Sequence, residues 1–289
     1  MASSSAKIFS IKGLLKITRI GNLMIIGFAQ YLTAIFLIGP SSQWQDYLLS
    51  IPQFLIVVST LLISSAGYII NDYYDQKIDI INRPDKVVVG TDLKRRAAMF
   101  YHMVFNFAGI FLGIIANWKI GLVHVVSAFL LWLYSNSLKR LPLIGNLLIG
   151  FLTGMAILMM GIQYQNLNPL IFAYALLAAS IMVIREIIKD MEDMKGEKTH
   201  GVKSLPLVVG IHKTKQFLFT ICGVTAVFLV IFLIKVKNVY VVYYFLGLIP
   251  FMTYFLFKLK NADTVKNFRY LKILSNLIIL SGIISMIFY

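Results

Sequence analysis

The sequence has 289 residues, is 59% hydrophobic with a mean hydropathy of +0.81, and carries only 13% charged residues, about half the share usual in a soluble domain. This composition excludes an ordinary soluble globular protein and predicts a polytopic membrane protein. The net charge of +15 does not indicate nucleic-acid binding, because the basic residues lie between apolar segments and form no continuous basic surface.

The polar, basic N-terminus leads into a first apolar segment, and no clean small-residue cleavage site follows it. We expect residues 20–38 to remain as an uncleaved first membrane helix, and a cleaved signal peptide is the less favoured interpretation. Cys222 is the only cysteine of the sequence, so a disulfide within the chain is impossible. The four histidines are scattered and give no zinc-binding spacing.

Nine apolar segments are long enough to cross a bilayer, each near the ~20 residues that a membrane helix needs. They are 20–38, 52–70, 97–116, 119–138, 142–163, 169–188, 215–234, 239–257 and 271–289. The predicted fold class is therefore all-α, a helical membrane bundle of about nine transmembrane helices that forms one domain over residues 1–289. The pairs Gly109/Gly113 and Gly150/Gly154 have small-xxx-small spacing, which favours close contact between neighbouring helices.

The distribution of lysine and arginine predicts the orientation of these segments. If the N-terminus is cytoplasmic, only Lys119, Lys235 and Lys237 of the 27 basic residues lie in outer segments, which leaves 24 in inner segments. The positive-inside rule then predicts a cytoplasmic N-terminus, an external C-terminus and an odd number of spans. Two acidic stretches follow spans two and six on the cytoplasmic side, which suggests an internal repeat of parallel topology.

The two acidic stretches, residues 72–92 and 186–197, contain ten of the twelve carboxylates of the sequence. With an offset of 118, three acids of one stretch fall on three acids of the other in an i, i+3, i+7 pattern. The pairs are Asp72 with Asp190, Asp75 with Asp193, and Asp79 with Glu197. On a helix this spacing places the three carboxylates on one face. Chance within two polar loops is the alternative explanation.

Six carboxylates on two helices near a bilayer would repel one another unless cations lie between them. Neighbouring lysines could supply that charge, but Mg²⁺ fits better, because it binds one or two carboxylates together with substrate phosphates. A metal-bound diphosphate is a good leaving group, since the charge that builds on it as a C–O bond breaks is already neutralised. The predicted metal ligands are Asp72, Asp75, Asp79, Asp190, Asp193 and Glu197.

Basic side chains beside the acids are candidates for binding the diphosphate. Arg83 and Lys86 follow the first stretch, while Lys189 lies within the second and Lys139 ends the fourth span. Setting of topology and contact with lipid headgroups are the alternative roles of such residues. A diphosphate at a membrane surface implies a polyprenyl chain in the bilayer, and its departure would leave an allylic cation. Aromatic faces stabilise such cations, and Tyr134 is the preferred candidate, with packing as the alternative role.

Residues 71–86 resemble, almost letter for letter, the NDxxDxxxDxxNRPDK motif of the UbiA superfamily of intramembrane prenyltransferases. Residues 189–197 resemble its second motif, KDxxDxxGD, with Glu197 in place of the usual final Asp. Arg19 and Asn22 resemble the R-x-x-N pattern of the first span, whose Asn lies near the diphosphate. The resemblance covers essentially the whole chain, and it implies Asn22 and Asn71 as further diphosphate-binding residues.

The resemblance implies Mg²⁺-dependent transfer of a polyprenyl group from a prenyl diphosphate to a lipophilic acceptor, with release of diphosphate. Residues 185–193 and 201–206 look most like the digeranylgeranylglyceryl phosphate synthase branch, which geranylgeranylates geranylgeranylglyceryl phosphate in ether-lipid synthesis. Prenylation of a quinone precursor (1,4-dihydroxy-2-naphthoate, 4-hydroxybenzoate or homogentisate) and haem O synthesis are the alternatives. The implied catalytic residues are Asp72, Asp75, Asp190, Asp193 and Tyr134.

A cation-coupled transporter is the competing class of function, because repeated acidic sites in a membrane bundle could bind ions. Transport sites usually lie near the bilayer midplane, whereas both acidic stretches fall at span ends. We therefore expect an integral membrane enzyme of the cell or inner membrane. Its expected partners are the prenyl diphosphate, the acceptor and membrane lipids, with neither nucleic acid nor an obligate protein partner.

Overall fold

A computed structural model of the protein describes residues 10–236 and 238–289. Within these residues nine helices are long and apolar enough to cross a membrane, which confirms the predicted all-α class and the number of spans. They are Ile20–Ile38, Ile51–Asn82, Arg95–Ala116, Trp118–Asn136, Ile144–Gln163, Pro169–Thr199, Ile211–Lys235, Val239–Lys260 and Val265–Phe288. Lys7 and Lys237, two of the basic residues counted for orientation, lie outside the described residues.

The helices are numbered in chain order. They are α1 Ile11–Ile17, α2 Ile20–Leu32 with the π-helix Thr33–Ile38, α3 Trp44–Leu48, α4 Ile51–Asn82, α5 Arg95–Ala116, α6 Trp118–Asn136, α7 Ile144–Gln163, α8 Pro169–Thr199, α9 Leu205–Val209, α10 Ile211–Lys235, α11 Val239–Gly247, α12 Ile249–Lys260 and α13 Val265–Ile284. The first span consists of α2 and a π-helix that follows it directly, and the eighth span consists of two helices. Pro250 in the first turn of α12 accounts for the break after α11, because it cannot donate a backbone hydrogen bond.

Helices α4 and α8 are much longer than the apolar segments that predicted them. They contain 32 and 31 residues, and a helix of that length spans roughly 45 Å against a hydrocarbon core of about 30 Å. Both acidic stretches therefore continue a membrane helix by several turns. Hydropathy falls where the acids begin, yet after Pro52 in its first turn α4 meets no proline until Pro84, so the helix continues past the end of the apolar segment.

Local capping explains where several of these helices begin and end. The Ser50 hydroxyl accepts a hydrogen bond from Gln53 N at 3.3 Å and caps α4, which ends at Asn82, two residues before Pro84. The Asn117 side chain accepts from Lys119 N at 3.0 Å and caps α6. Asn117 is extended and separates α5 from α6, which confirms the predicted split of the segment 97–138 into two spans.

The described residues form two compact units. The first contains residues 10–31, 45–139 and 195–201, and the second contains 32–44, 140–194, 202–236 and 238–289. The single domain expected over residues 1–289 stays a prediction.

In the first unit, α4 packs against both α5 and α6. Beside the first acidic stretch a buried core joins α1, α4, α5 and the loop after α4. Its members are Ile17, Ile69, Val88, Val89, Leu93, Ala97, Ala98 and Tyr101. A Cβ added at Gly109 would lie 3.0 Å from Ser59 O, and one at Gly113 would lie 2.6 Å from the His124 ring. The predicted close contact at this glycine pair is confirmed.

In the second unit, the core surrounds the middle of α8 and includes side chains of α10, α12 and α13. Its members are Val183, Ile184, Ile187, Ile188, Met191, Leu218, Phe255, Leu259, Ala262, Phe268, Leu271, Leu274 and Ile278. A Cβ at Gly150 would lie 2.9 Å from Ala179 O, and one at Gly154 would lie 3.0 Å from Ala175 O. Helix α7 thus lies directly on the backbone of α8, which confirms the second predicted glycine contact.

Candidate active site

The first two carboxylates of the first stretch lie on α4 against basic side chains of the same unit. Arg19 Nη2 donates a hydrogen bond to Asp72 Oδ1 at 2.7 Å, and Lys139 Nζ forms an ion pair with Asp75 Oδ1. The two carboxylates are largely buried, with 13% and 16% of their side-chain surface exposed. Lys139, predicted only as a diphosphate-binding residue, therefore also reaches a predicted metal ligand.

Arg19 reaches Asp72 from a strained backbone position between α1 and α2. Its φ of 52° lies in the left-handed region, which costs a residue with a Cβ roughly 1–2 kcal/mol. The guanidinium also lies over the Tyr68 ring, 5.0 Å from its centroid. Asn22 follows on the first turn of α2, where its backbone N–H donates to Arg19 O at 2.8 Å. Strain of this kind is concentrated at functional sites.

Asn71 contributes a buried acceptor to the same face. It immediately precedes Asp72 on α4, and its Oδ1 is buried with no hydrogen-bond partner among the residues that the structure describes. An unsatisfied buried acceptor costs about 1–3 kcal/mol, so this oxygen suits a bound cation or a ligand donor. The unsatisfied Asn71 oxygen is therefore the structural observation that fits binding of a metal ion and its ligand at the first stretch.

The last turn of α8 lies against the first stretch, within the first unit. Gly196 N donates to Asn82 Oδ1 at 2.8 Å. A Cβ at Gly196 would lie only 2.8 Å from Ile78 O, so glycine is needed for this approach. The turn that carries Glu197 is thereby brought beside the end of α4, where Asp79 lies one residue after Ile78.

The second stretch has its own set of contacts in the second unit. Asn146 Nδ2, on α7, donates to Asp190 Oδ2 at 2.7 Å. Asp193 is buried. Lys189, predicted to bind diphosphate, donates to Glu186 Oε2 at 3.0 Å, and Arg185 forms an ion pair with the same carboxylate.

Glu192 anchors the second stretch to the last helix. Its side chain is only 2% exposed, and it accepts from Arg269 Nε at 3.0 Å and pairs with Lys272, both on α13. Sequence reasoning missed these partners and Asn146. An asparagine near the start of the apolar segment 142–163 is a signal for Asn146, whereas Arg269 and Lys272 entered the sequence argument only through the charge bias that predicts topology.

The remaining predicted residues lie near the ends of α4 and α6. Arg83 directly follows the last residue of α4, and Lys86 is exposed in the short 3₁₀ turn that comes next. Tyr134 is partly buried near the end of α6, five residues before Lys139. The ring of Tyr73, an aromatic residue within the first acidic stretch, is covered by the Arg95 guanidinium at 4.5 Å from its centroid.

No group of three or more His, Cys, Asp or Glu side chains is gathered closely enough to hold a metal ion in the part of the chain that the structure describes. Several predicted ligands instead contact basic or amide donors. The six carboxylates remain the hard oxygen donors that Mg²⁺ prefers. Their assignment as metal ligands stays a prediction.

Comparison with known proteins identifies the family. The chain matches the UbiA prenyltransferase family over residues 31–277. It belongs to that family. The resemblance predicted from the two acidic motifs is confirmed, and the chain is an integral membrane prenyltransferase.

Relatives of known name and structure agree with this assignment. The digeranylgeranylglyceryl phosphate synthase of Methanosarcina mazei is 33% identical over 227 residues, which cover 76% of this chain and 78% of that protein. A solved digeranylgeranylglyceryl phosphate synthase superposes with a TM-score of 0.70 at 25% identity, covering 96% of this chain and 98% of the other. A UbiA homolog from Archaeoglobus fulgidus, solved with DMAPP and Mg²⁺, has the same fold, with a TM-score of 0.67 at 16% identity over 95% of this chain and 99% of the other.

Proposed function

We propose that this prenyltransferase transfers a geranylgeranyl group from its diphosphate to geranylgeranylglyceryl phosphate, releasing diphosphate. The observation that supports this assignment is the first acidic face, where Asn71, Asp72 and Asp75 combine an unsatisfied buried acceptor with two carboxylates beside Arg19 and Lys139. The choice of acceptor rests on the similarity to digeranylgeranylglyceryl phosphate synthases.

The acidic residues of both motifs would hold Mg²⁺, which supplies charge neutralisation for the departing diphosphate when bound. The proposed ligands are Asp72, Asp75, Asp79, Asp190, Asp193 and Glu197. Carboxylates on one helix face at i, i+3, i+7 suit a cation that takes one or two protein oxygens at a time and retains phosphate and water ligands. Glu197 has a longer side chain than the aspartates and reaches further from the α8 backbone.

The diphosphate itself would contact basic and amide side chains that lie within or beside the two acidic motifs and at the ends of the first and fourth spans. Lys139 already faces Asp75, and Arg83 directly follows α4. Arginine can bind two phosphate oxygens at once, whereas lysine acts as a point charge. The full proposed set is Asn22, Asn71, Arg83, Lys86, Lys139 and Lys189.

In the proposed reaction the allylic C–O bond breaks, and its electron pair leaves with the diphosphate. An oxygen lone pair of the acceptor hydroxyl then forms a new C–O bond at the same carbon, and the hydroxyl proton is released. Tyr134 would present its ring face to the allylic cation, since Tyr73 already faces Arg95. The ether product retains the phosphate of the acceptor.

Product analysis tests the acceptor. Purified protein in detergent is given geranylgeranyl diphosphate with geranylgeranylglyceryl phosphate, or with each aromatic acceptor in turn, and products are identified by mass spectrometry. We expect the diether phosphate only, and no turnover in excess chelator. Transfer to an aromatic acceptor instead would replace the proposed substrate, and full activity of Asp72→Ala or Asp190→Ala would contradict the proposed ligands.

We also propose that the N-terminus and both acidic motifs face the cytoplasm, as the excess of basic residues in the inner segments indicates. In a Cys222→Ser background, Lys94→Cys and Lys119→Cys report on opposite sides, and both positions are exposed. In intact cells a membrane-impermeant maleimide should label only Lys119→Cys. Labelling of Lys94→Cys alone would reverse the proposed orientation.

A further inference from the structure

The sequence repeats a short segment at the start of the membrane span that precedes each span with an acidic motif. Residues 20–23 and residues 144–147 both read Ile-Gly-Asn-Leu, so Asn22 corresponds to Asn146 with an offset of 124. The backbone repeats as well. Arg19 has a φ of 52° and Leu143, 124 residues later, has a φ of 67°.

The positive φ that Arg19 and Leu143 share is not explained by chance. Among the described residues only three non-glycine positions have positive φ, and two of them are this corresponding pair. A left-handed residue with a side chain is costly, so the conformation is kept at both positions because the surrounding structure requires it. The two turns are therefore equivalent parts of the internal repeat, and their functions can be compared.

Each turn places a donor on the first carboxylate of its motif. In the first unit the donor is Arg19, which bonds Asp72 at 2.7 Å, and in the second unit it is Asn146, which bonds Asp190 at 2.7 Å. Asp72 and Asp190 are themselves equivalent under the offset of 118. The left-handed position of the second unit holds Leu143, which has no donor, and the amide one turn later supplies the hydrogen bond instead.

We propose that Asn146 is a positioning residue for Asp190, orienting its carboxylate toward Mg²⁺. The proposal rests on the function proposed above, in which Asp190 is a metal ligand. A hydrogen bond to Oδ2 fixes the carboxylate plane and so the direction of the second oxygen. The amide of Asn146 does this as a neutral donor, whereas Arg19 brings a positive charge to Asp72.

The surroundings of Asn146 suit such a role. Asn146 is buried in the first turn of α7, and α7 is fixed on α8 by the close contact of Gly150 with the Ala179 carbonyl. The two helices are therefore in backbone contact about one turn from Asn146 along α7 and about three turns from Asp190 along α8.

Metal binding tests the proposal independently of turnover. Mn²⁺ binding to the purified protein with diphosphate is measured by electron paramagnetic resonance, together with the Mg²⁺ concentration that gives half-maximal activity. We expect Asn146→Leu to weaken both by roughly 10–100-fold, the usual effect of removing a hydrogen bond to a metal ligand. Asn146→Gln, which keeps an amide donor, should recover part of the Mn²⁺ affinity.

Asn166→Leu is the matched control, because Asn166 is a partly buried amide of the same unit that donates to Ile38 O at 3.2 Å, away from the acidic residues. It should lower the thermal midpoint and leave Mn²⁺ affinity unchanged. Asp190→Asn should lose Mn²⁺ binding. If it does, the positioning role is overturned by unchanged Mn²⁺ affinity in Asn146→Leu or by no recovery of affinity in Asn146→Gln. If Asp190→Asn itself binds Mn²⁺ normally, the proposed metal ligand is wrong as well.

Discussion

Arg19 donates a hydrogen bond to Asp72 at 2.7 Å from a backbone conformation that a residue with a side chain rarely adopts. The strained residue lies on the connection between α1 and α2, and the carboxylate lies on α4. The same conformation recurs at Leu143, which carries no donor, so the surrounding structure requires this turn, and at Arg19 the turn presents a guanidinium to the candidate metal ligand Asp72.

Replacing Arg19 by glycine tests whether the guanidinium serves the reaction. Arg19→Gly relieves about 1–2 kcal/mol of backbone strain and loses part of it to greater freedom of the unfolded chain. Because the largely buried Asp72 also loses this ion pair, we expect the thermal midpoint in detergent to fall and prenyl transfer to fall by at least tenfold. Both are measured on the same purified sample.

Gln165→Gly is the matched control for that substitution. Gln165 has the same φ of 52°, is exposed, and lies between α7 and α8 away from the acidic residues. It should gain about 0.5–1 kcal/mol of stability with unchanged activity. Equal activity of the two glycine variants would mean that Arg19 has no role in the reaction.

Lys139 and Asp75 form a second pair whose loss should depend on Mg²⁺. Their side chains are only 10% and 16% exposed, so Lys139→Met leaves a largely buried carboxylate without this ammonium, at a cost of about 3 kcal/mol. If Asp75 is a metal ligand, Mg²⁺ with diphosphate replaces the lost charge. We expect a lower thermal midpoint without Mg²⁺ and substantial recovery with it.

The double variant Lys139→Met with Asp75→Asn supplies the comparison. Removing both charges should restore stability without Mg²⁺, and the midpoint should no longer respond to the ion. If the thermal midpoint of Lys139→Met is the same with and without Mg²⁺, Asp75 does not bind the ion. Transfer activity should be lost in the double variant under all conditions.

The sequence was sufficient for much of the fold and of the candidate site. The nine apolar segments and the glycine pairs follow from hydropathy and spacing, which act locally, and the helical face of Asp72 and Asp75 follows from periodicity. The length of α4 and α8 could not be predicted in this way, because hydropathy identifies only the part of a helix that lies in the membrane, and both helices extend beyond it. The bond from Asn146 to Asp190 could not be predicted either, since 44 residues separate them and only packing brings them together.

Glu192 and its neighbour Asp193 should behave differently although both are acidic and buried. Glu192 is held by Arg269 and Lys272, so Glu192→Leu leaves two basic residues without their carboxylate and should cost about 3 kcal/mol. Asp193→Asn should instead weaken Mn²⁺ binding with a smaller change in the thermal midpoint. Loss of Mn²⁺ affinity in a folded Glu192→Gln variant would place Glu192 among the metal ligands.

Gly196 should tolerate no side chain, because it is where the last turn of α8 meets the end of α4. A Cβ there would lie 2.8 Å from Ile78 O and 2.7 Å from Asn82 Nδ2. The carbonyl belongs to a helix backbone and cannot move away cheaply, so Gly196→Ala should cost about 1–3 kcal/mol. It should also lower transfer activity, since the turn carries Glu197.

Gly223→Ala is the control: nothing lies within 4 Å of its Cβ, and alanine should stabilise α10 by about 0.5–1 kcal/mol. The thermal midpoint in detergent and the initial rate of prenyl transfer are measured for both variants. A Gly196→Ala variant as stable and active as Gly223→Ala would mean that the contact between α8 and α4 is not needed for function.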